Sequence, residues 1–371
     1  MRCNRSSLFL PFLLLHLTTA SASVDDSLDF KIGQMLMVGF RGIGAAEGTS
    51  IARDLRDLHL GGVILFDFDV ETRKYGRNII SPKQVAMLTA ELRSHAAAPL
   101  LIAVDQEGGL VARFKQKAGF PVNVSAKYLG AMDNVDSSTY YADLMARSLA
   151  IAGVNVNFAP VLDLDVNPDN PVIGKLGRSF SANPDIVVRH GGIVLEQLRE
   201  KGILGAIKHF PGHGSSRDDS HLGVVDVTGT WTRRELQPFQ RIVRAGLTDM
   251  VMTAHIFNAT LDSSYPATMS ARVIDGVLRK ELGFDGVVIS DDMNMKAIVD
   301  NYGLETAMRE AVNAGVDILL FGNNSFTFVP DLPRKAHATL KKLVLSGAVS
   351  RARIDTSWRR IHAMKAKLTI R

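Results

Sequence analysis

From residue 30 onward, short runs that are apolar at nearly every position alternate with longer stretches in which apolar residues recur every three to four positions. Eight such runs stand out: QMLMVGF (34–40), GGVILFD (61–67), PLLIAVD (99–105), VNVNFAPVLD (154–163), ILGAIKHF (203–210), DMVMTAHI (249–256), GVVISDD (286–292) and DILLFGN (317–323). Continuous apolarity, rather than strict alternation, predicts strands covered on both faces, as in a parallel sheet with helical crossovers. The punctuation between the runs is helical. Ser81-Pro82 offers an N-cap with proline at the first helical position, Thr232 with Glu235 reads as a capping box, and Gly202 and Gly315 close helices ahead of two of the runs. The pattern predicts an α/β chain built as a (β/α)₈ TIM-type barrel, a single domain over 28–330, with 331–371 forming one or two helices packed against it. An open doubly wound sheet is the other topology with the same alternation.

The first 22 residues belong to a different regime. Arg2 and Arg5 precede the apolar run LFLPFLLLHL, which leads to Ala20-Ser21-Ala22. That order predicts a secretory signal peptide removed after Ala22, and hence a secreted or periplasmic protein. A run near ten residues is too short to span a bilayer as a helix, so no stable membrane insertion is expected after cleavage; an uncleaved anchor is the alternative. The single cysteine, Cys3, lies in this segment. The mature chain is therefore expected to lack disulfides, a cysteine nucleophile and any cysteine metal site. Cleavage also removes two of the excess positive charges, taking the formal +5 to +3. With no basic run interleaved with aromatics, nucleic acid is not an expected partner.

A barrel's active site is built at the C-terminal ends of its strands. There the chain places Asp105 and Glu107 after the third run, Asp163 and Asp165 at the fourth, Lys208 and His209 at the fifth, His255 at the sixth, Asp291 and Asp292 at the seventh, and Asn323 and Asn324 at the eighth. One polar group at such a position is usually a helix cap. Six or more converging at one end predict a polar pocket.

The fifth run continues into KHFPGHGSSRDDSHLG (208–223). His209 and His213 have the i,i+4 spacing of helical metal ligands, but Pro211, Gly212 and Gly214 forbid the helix, so no metal is expected. Asp219 and His221, two apart, point the same way in an extended segment. A carboxylate beside an imidazole fixes its tautomer and raises its proton affinity, the arrangement of a general acid/base; a solvated loop whose histidines do nothing is the bland alternative.

Taken in order, VDQEGG (104–109), GRSF (177–180), KHFPGHG (208–214), DSH (219–221), MTAHI (252–256) and GVVISDDM (286–293) resemble glycoside hydrolase family 3, and within it the bacterial β-N-acetylglucosaminidase (β-N-acetylhexosaminidase) branch. The resemblance implies a retaining exo-glycosidase that removes terminal β-linked N-acetylglucosamine from peptidoglycan or chitin-type fragments such as muropeptides, with no cofactor and as a monomer. It implies Asp291 as nucleophile, His221 as acid/base polarised by Asp219, and Asp105, Arg113, Arg178, Lys208 and His209 as sugar-binding groups. A histidine acid departs from the usual pair of carboxyl groups and leaves transfer to phosphate open beside transfer to water. Leu110 stands where many relatives carry arginine. No second domain is expected after the barrel, which suits the branch whose DSH loop supplies the acid. The competing expectations are a β-glucosidase or β-xylosidase of the same family, and a barrel that binds cell-wall sugar without cutting it.

Overall fold

The computed structural model describes residues 27–219, 223, 225–325 and 327–369; the expected signal segment and His221 lie outside them. Eight parallel strands form the centre: β1 Leu36–Gly39, β2 Gly62–Ile64, β3 Leu101–Val104, β4 Val156–Asn157, β5 Leu204–Phe210, β6 Met250–Thr253, β7 Val287–Ile289 and β8 Leu319–Phe321. Each pairs with its neighbour in sequence, and Leu36 of β1 also pairs with Leu319 of β8. A parallel bridge from Ile289 to Ile318 joins β7 to β8 and completes the ring. An open sheet would leave β1 and β8 unpaired with each other, so the barrel expectation holds.

Each apolar run is longer than its strand, because the residues past the ladder fold over the mouth. The run 154–163 pairs only at Val156 and Asn157. Beyond them Pro160 has no N–H to donate, and the Asn157 side chain instead accepts from Gln106 N–H at 3.0 Å. Between β5 and β6 the register slips between Val251 and Thr253, a bulge beside the mouth where side chains are re-aimed.

Ser81 caps its helix as expected, its hydroxyl accepting Gln84 N–H. Gly202 and Gly315 sit at positive φ just past their helices. The Thr232–Glu235 capping box does not close: Thr232 makes no side-chain cap bond, and Glu235, 1% exposed, directs its carboxyl at the main chain of the loop after β5 as well as at that of Thr232.

Helix Leu28–Gln34 and the two closing helices Leu332–Leu345 and Arg351–Thr369 pack at the N-terminal end of the barrel. Lys365 donates there to Gln34 Oε1 at 2.6 Å and to the Gly61 carbonyl at 2.9 Å, and burial pushes its ammonium down to about 7. No helix among the described residues is long and apolar enough to cross a membrane.

Asp317, fully buried before β8, ties this end together. Its oxygens accept from Arg353 at 2.7 Å, Ser357 Oγ at 2.8 Å, Arg279 at 2.8 Å and Val288 N–H at 3.0 Å. Removing the carboxylate leaves two largely buried guanidinium groups uncompensated, a loss of roughly 3–5 kcal/mol. Asp317→Ala is therefore expected to lower the melting temperature by many degrees, and a thermal melt within two or so degrees of the wild type would contradict the assignment.

Candidate active site

At the C-terminal mouth lies a cavity of about 570 Å³. It is lined by Asp67 after β2, Asp105, Glu107 and Arg113 from the β3 turn, Arg178 from the β4 loop, Lys208, His209, His213 and Asp219 from β5 and its loop, Asp291 and Asp292 after β7, and Asn324 after β8. Of the predicted site residues, Asp291, Asp219, Asp105, Arg113, Arg178, Lys208 and His209 converge on this one cavity. His221 lies outside the described residues.

Lys208 is the electrostatic centre. Its side chain is 2% exposed, and its ammonium lies 2.8 Å from Asp105 and 2.7 Å from Glu107. Glu107 takes a bidentate pair from Arg178 at 2.8 and 2.7 Å, and Arg113 stands 3.4 Å from Asp105. Burial alone would push both carboxyl groups up. The cations outweigh it: Asp105 is held below its ordinary value by Lys208 and Arg113, and Glu107 falls to about 2 beside Arg178 and Lys208. Burial likewise works against the charge of Lys208, and the two carboxylates overcome it.

Behind this cage sits Asp163, fully buried. It accepts His209 Nδ1 at 2.6 Å, His209 N–H at 3.2 Å and His213 N–H at 2.8 Å. Arg178 stands 3.1 Å from His209 Nε2. A guanidinium only donates, so Nε2 accepts, the hydrogen belongs on Nδ1 facing Asp163, and the ring is fixed in that tautomer. His213 bonds Ser216 Oγ at 2.6 Å, and burial together with neighbouring His209 pushes it down to about 4, leaving it neutral at ordinary pH.

The turn after β7 is pinned as firmly. Asp291 Oδ1 accepts Asp292 N–H at 2.8 Å, while Asp292 Oδ1 accepts Asn294 N–H at 3.0 Å and Gly322 N–H at 2.9 Å. Gly322 is required for that approach, since a Cβ there would lie 2.5 Å from Asp292 Oδ2. His255 Nε2 donates to the Asp292 carbonyl at 3.0 Å. His255 is thus buried support for the turn and lines no part of the cavity. Asp163 and Asp165 are also set back from it, Asp165 pairing with Lys127 at 3.2 Å. The strand-end pattern located the mouth correctly but did not separate lining groups from supporting ones.

Sequence reasoning passed over Asp67, whose buried carboxylate pairs with Lys115 at 2.7 Å, and left Glu107 without a role. It also misread Glu235, which accepts the backbone N–H groups of Gly214 at 3.1 Å and Ser215 at 3.3 Å. Burial pushes that carboxyl up to about 7. Among the described residues there is no group of three or more His, Cys, Asp or Glu disposed to hold a metal ion.

A closed parallel barrel with a charged, sugar-sized pocket at its C-terminal mouth is an architecture used by many enzymes, and comparison with known proteins narrows it. Residues 27–364 match the glycosyl hydrolase family 3 N-terminal domain. The chain is 38% identical to a β-hexosaminidase of Thiobacillus denitrificans, over 83% of each protein. It is 34% identical to β-hexosaminidase A of Pseudoalteromonas piscicida, covering 95% of this chain and 63% of that enzyme. Among solved structures it resembles a family 3 β-N-acetylglucosaminidase of Paenibacillus sp. str. FPU-7, with a TM-score of 0.84 at 36% identity over 93% of this chain and 63% of the other. A β-N-acetylhexosaminidase from Beutenbergia cavernae follows at a TM-score of 0.81 and 28% identity, over 92% and 99% of the two chains. The chain belongs to glycosyl hydrolase family 3.

The cage makes a pH-dependent prediction. Carboxyl groups held below their unfolded values add stability above about pH 4, and that contribution fades as pH falls through the folded values, near 2 for Glu107. Lys208→Met removes the shared cation. The melting temperature of the variant is expected to lie well below wild type at pH 7, with the gap shrinking steadily toward pH 3.5. A gap independent of pH would show that Lys208 does not hold these carboxylates.

Proposed function

We propose that this chain is an exported retaining exo-β-N-acetylglucosaminidase, acting on terminal β-linked N-acetylglucosamine of peptidoglycan or chitin-type fragments. The observation that carries the reading is the convergence of Asp291 and Asp219, from the separate loops that follow β7 and β5, on the cavity walled by Asp105, Arg178, Lys208 and His209. Export is supported by the charged, apolar and small-residue order of residues 1–22. The relatives' names support the sugar, since those quoted above are β-hexosaminidases or β-N-acetylglucosaminidases.

The reaction runs in two displacements. An Asp291 oxygen attacks the anomeric carbon while the bond to the leaving oxygen breaks, and that oxygen takes a proton from the His221 imidazolium, whose charge the Asp219 carboxylate favours, leaving the imidazole neutral. Water then attacks the anomeric carbon, gives its proton back to His221, and the carbon–Asp291 bond breaks. Asp291 can act as the anionic nucleophile because the main-chain hydrogen bonds around its turn fix its position before substrate arrives. The buried cations beside Asp105 and Glu107 hold those carboxylates ionised, ready to accept sugar hydroxyls through charge-assisted bonds that tighten as positive charge grows on the ring.

Purified protein is expected to release nitrophenol from the nitrophenyl β-N-acetylglucosaminide in preference to the glucoside and xyloside, with no effect of a chelator. Asp291→Asn should abolish turnover while leaving sugar binding measurable by calorimetry; a fully active variant would remove Asp291 from the mechanism. His221→Ala should lose on the order of 100-fold or more on substrates whose leaving group needs a proton, and far less where it does not. Equal losses on both would take the proton-transfer role away from His221.

A further inference from the structure

Glu235 lies behind the β5 loop, outside the cavity lining, on the short helical turn Arg233–Leu236. Its carboxylate reaches the loop root and accepts two consecutive main-chain N–H groups, those of Gly214 and Ser215. Four residues further on the same loop delivers Asp219 to the cavity. From the same segment Trp231 donates its indole N–H to the Pro211 carbonyl at 3.1 Å. The contact is close enough to dictate sequence. Gly212, at φ +120°, would put a Cβ 2.7 Å from Glu235 Cβ. On the other edge, Asn170 holds the His213 and Gly214 carbonyls and Asn167 holds that of Ser216. The amides fix the loop's carbonyl side, and Glu235 fixes its N–H side.

We infer that Glu235 is a positioning residue for proton transfer, setting through the Gly214 and Ser215 main chain where the loop carries Asp219. The inference rests on the glycosidase reading above. One carboxyl oxygen, Oε2, accepts both N–H groups at once, and a buried pair of amides deprived of it loses its acceptor. A small shift of the loop root is then carried along the loop to Asp219, and a displacement near 1 Å at a reacting group costs on the order of 100-fold in rate. A purely structural glutamate would affect every substrate alike. A positioning residue for the acid affects only those that need the proton.

The test compares wild type, Glu235→Met and Glu235→Gln on two β-N-acetylglucosaminides, read as kcat/KM so that only steps up to bond cleavage count. One is N,N′-diacetylchitobiose, whose sugar leaving group must be protonated. The other carries 2,4-dinitrophenolate, which departs unaided. Methionine fills the space with no acceptor, and kcat/KM on the disaccharide is expected to fall roughly 10- to 100-fold while the dinitrophenyl substrate changes by less than about threefold. Glutamine keeps an acceptor oxygen and should restore most of the disaccharide activity. Equal losses on both substrates, no loss on either, or a glutamine variant as impaired as the methionine one would overturn the inference. Should Glu235→Met fail to fold, Glu235→Asp retains the charge one methylene short of the loop and must show the same split, or the inference falls. A wild-type protein that hydrolyses neither substrate would instead overturn the glycosidase reading itself.

Discussion

The buried ammonium of Lys208 is the constraint around which the mouth of the barrel is organised. A lysine side chain 2% exposed, at the end of a fully buried strand, is tolerable only where charge and hydrogen bonds replace water. Asp105 and Glu107 supply both, and they in turn require Arg178 and Arg113 to balance the excess. Arg178 then fixes the His209 ring, whose other nitrogen faces Asp163. Strands β3 and β5 and the β4 loop are thus locked into one charge-balanced unit. On the proposed glycosidase reading, the same unit is what meets the sugar ring, its polar groups oriented and the reorganisation cost met during folding.

The two ends of the barrel use charge differently. At the N-terminal end the buried carboxylate of Asp317 draws arginines from two separate helices onto the start of β8, which fastens outer elements to the ring. At the mouth, carboxylates are turned on main-chain N–H groups: Asp163 on His209 and His213, Glu235 on Gly214 and Ser215, Asp292 on Asn294 and Gly322. Loops have few apolar contacts to hold them, and buried acceptors are the remaining means of giving them a single conformation.

Much of this was legible in the sequence, and the limits of that reading have a common cause. Continuous apolar runs report burial on both faces, so eight of them count the strands of the ring, and their last polar residues mark its open end. The runs overstate strand length, as at 154–163, because residues that cover the mouth are as apolar as those in the ladder. Asp163, His255 and Asp291 looked equivalent at strand ends. Only Asp291 faces the cavity, and the direction of a side chain after the last paired residue is set by a turn that no periodicity encodes. Glu235 illustrates the sharper failure: three residues after Thr232 it satisfies a local rule, yet its carboxyl also reaches main-chain groups some twenty residues away. Local rules assume a solvent-facing turn, and a glutamate 1% exposed is outside their premise.

That distinction bears on how the mouth divides its labour. Groups that line the cavity, such as Asp105, Lys208 and Asp291, lie within motifs compact enough to be read as VDQEGG, KHF and SDD. Groups that hold those motifs in place come from elsewhere in the chain: Asp163 behind His209, Asn170 and Glu235 on either edge of the β5 loop, Gly322 beneath Asp292. A compact motif therefore specifies which chemistry is available, while its geometry is owed to residues it does not contain. In the proposed reaction, whose nucleophile and proton donor arrive on separate loops, the second set decides whether the first can work together.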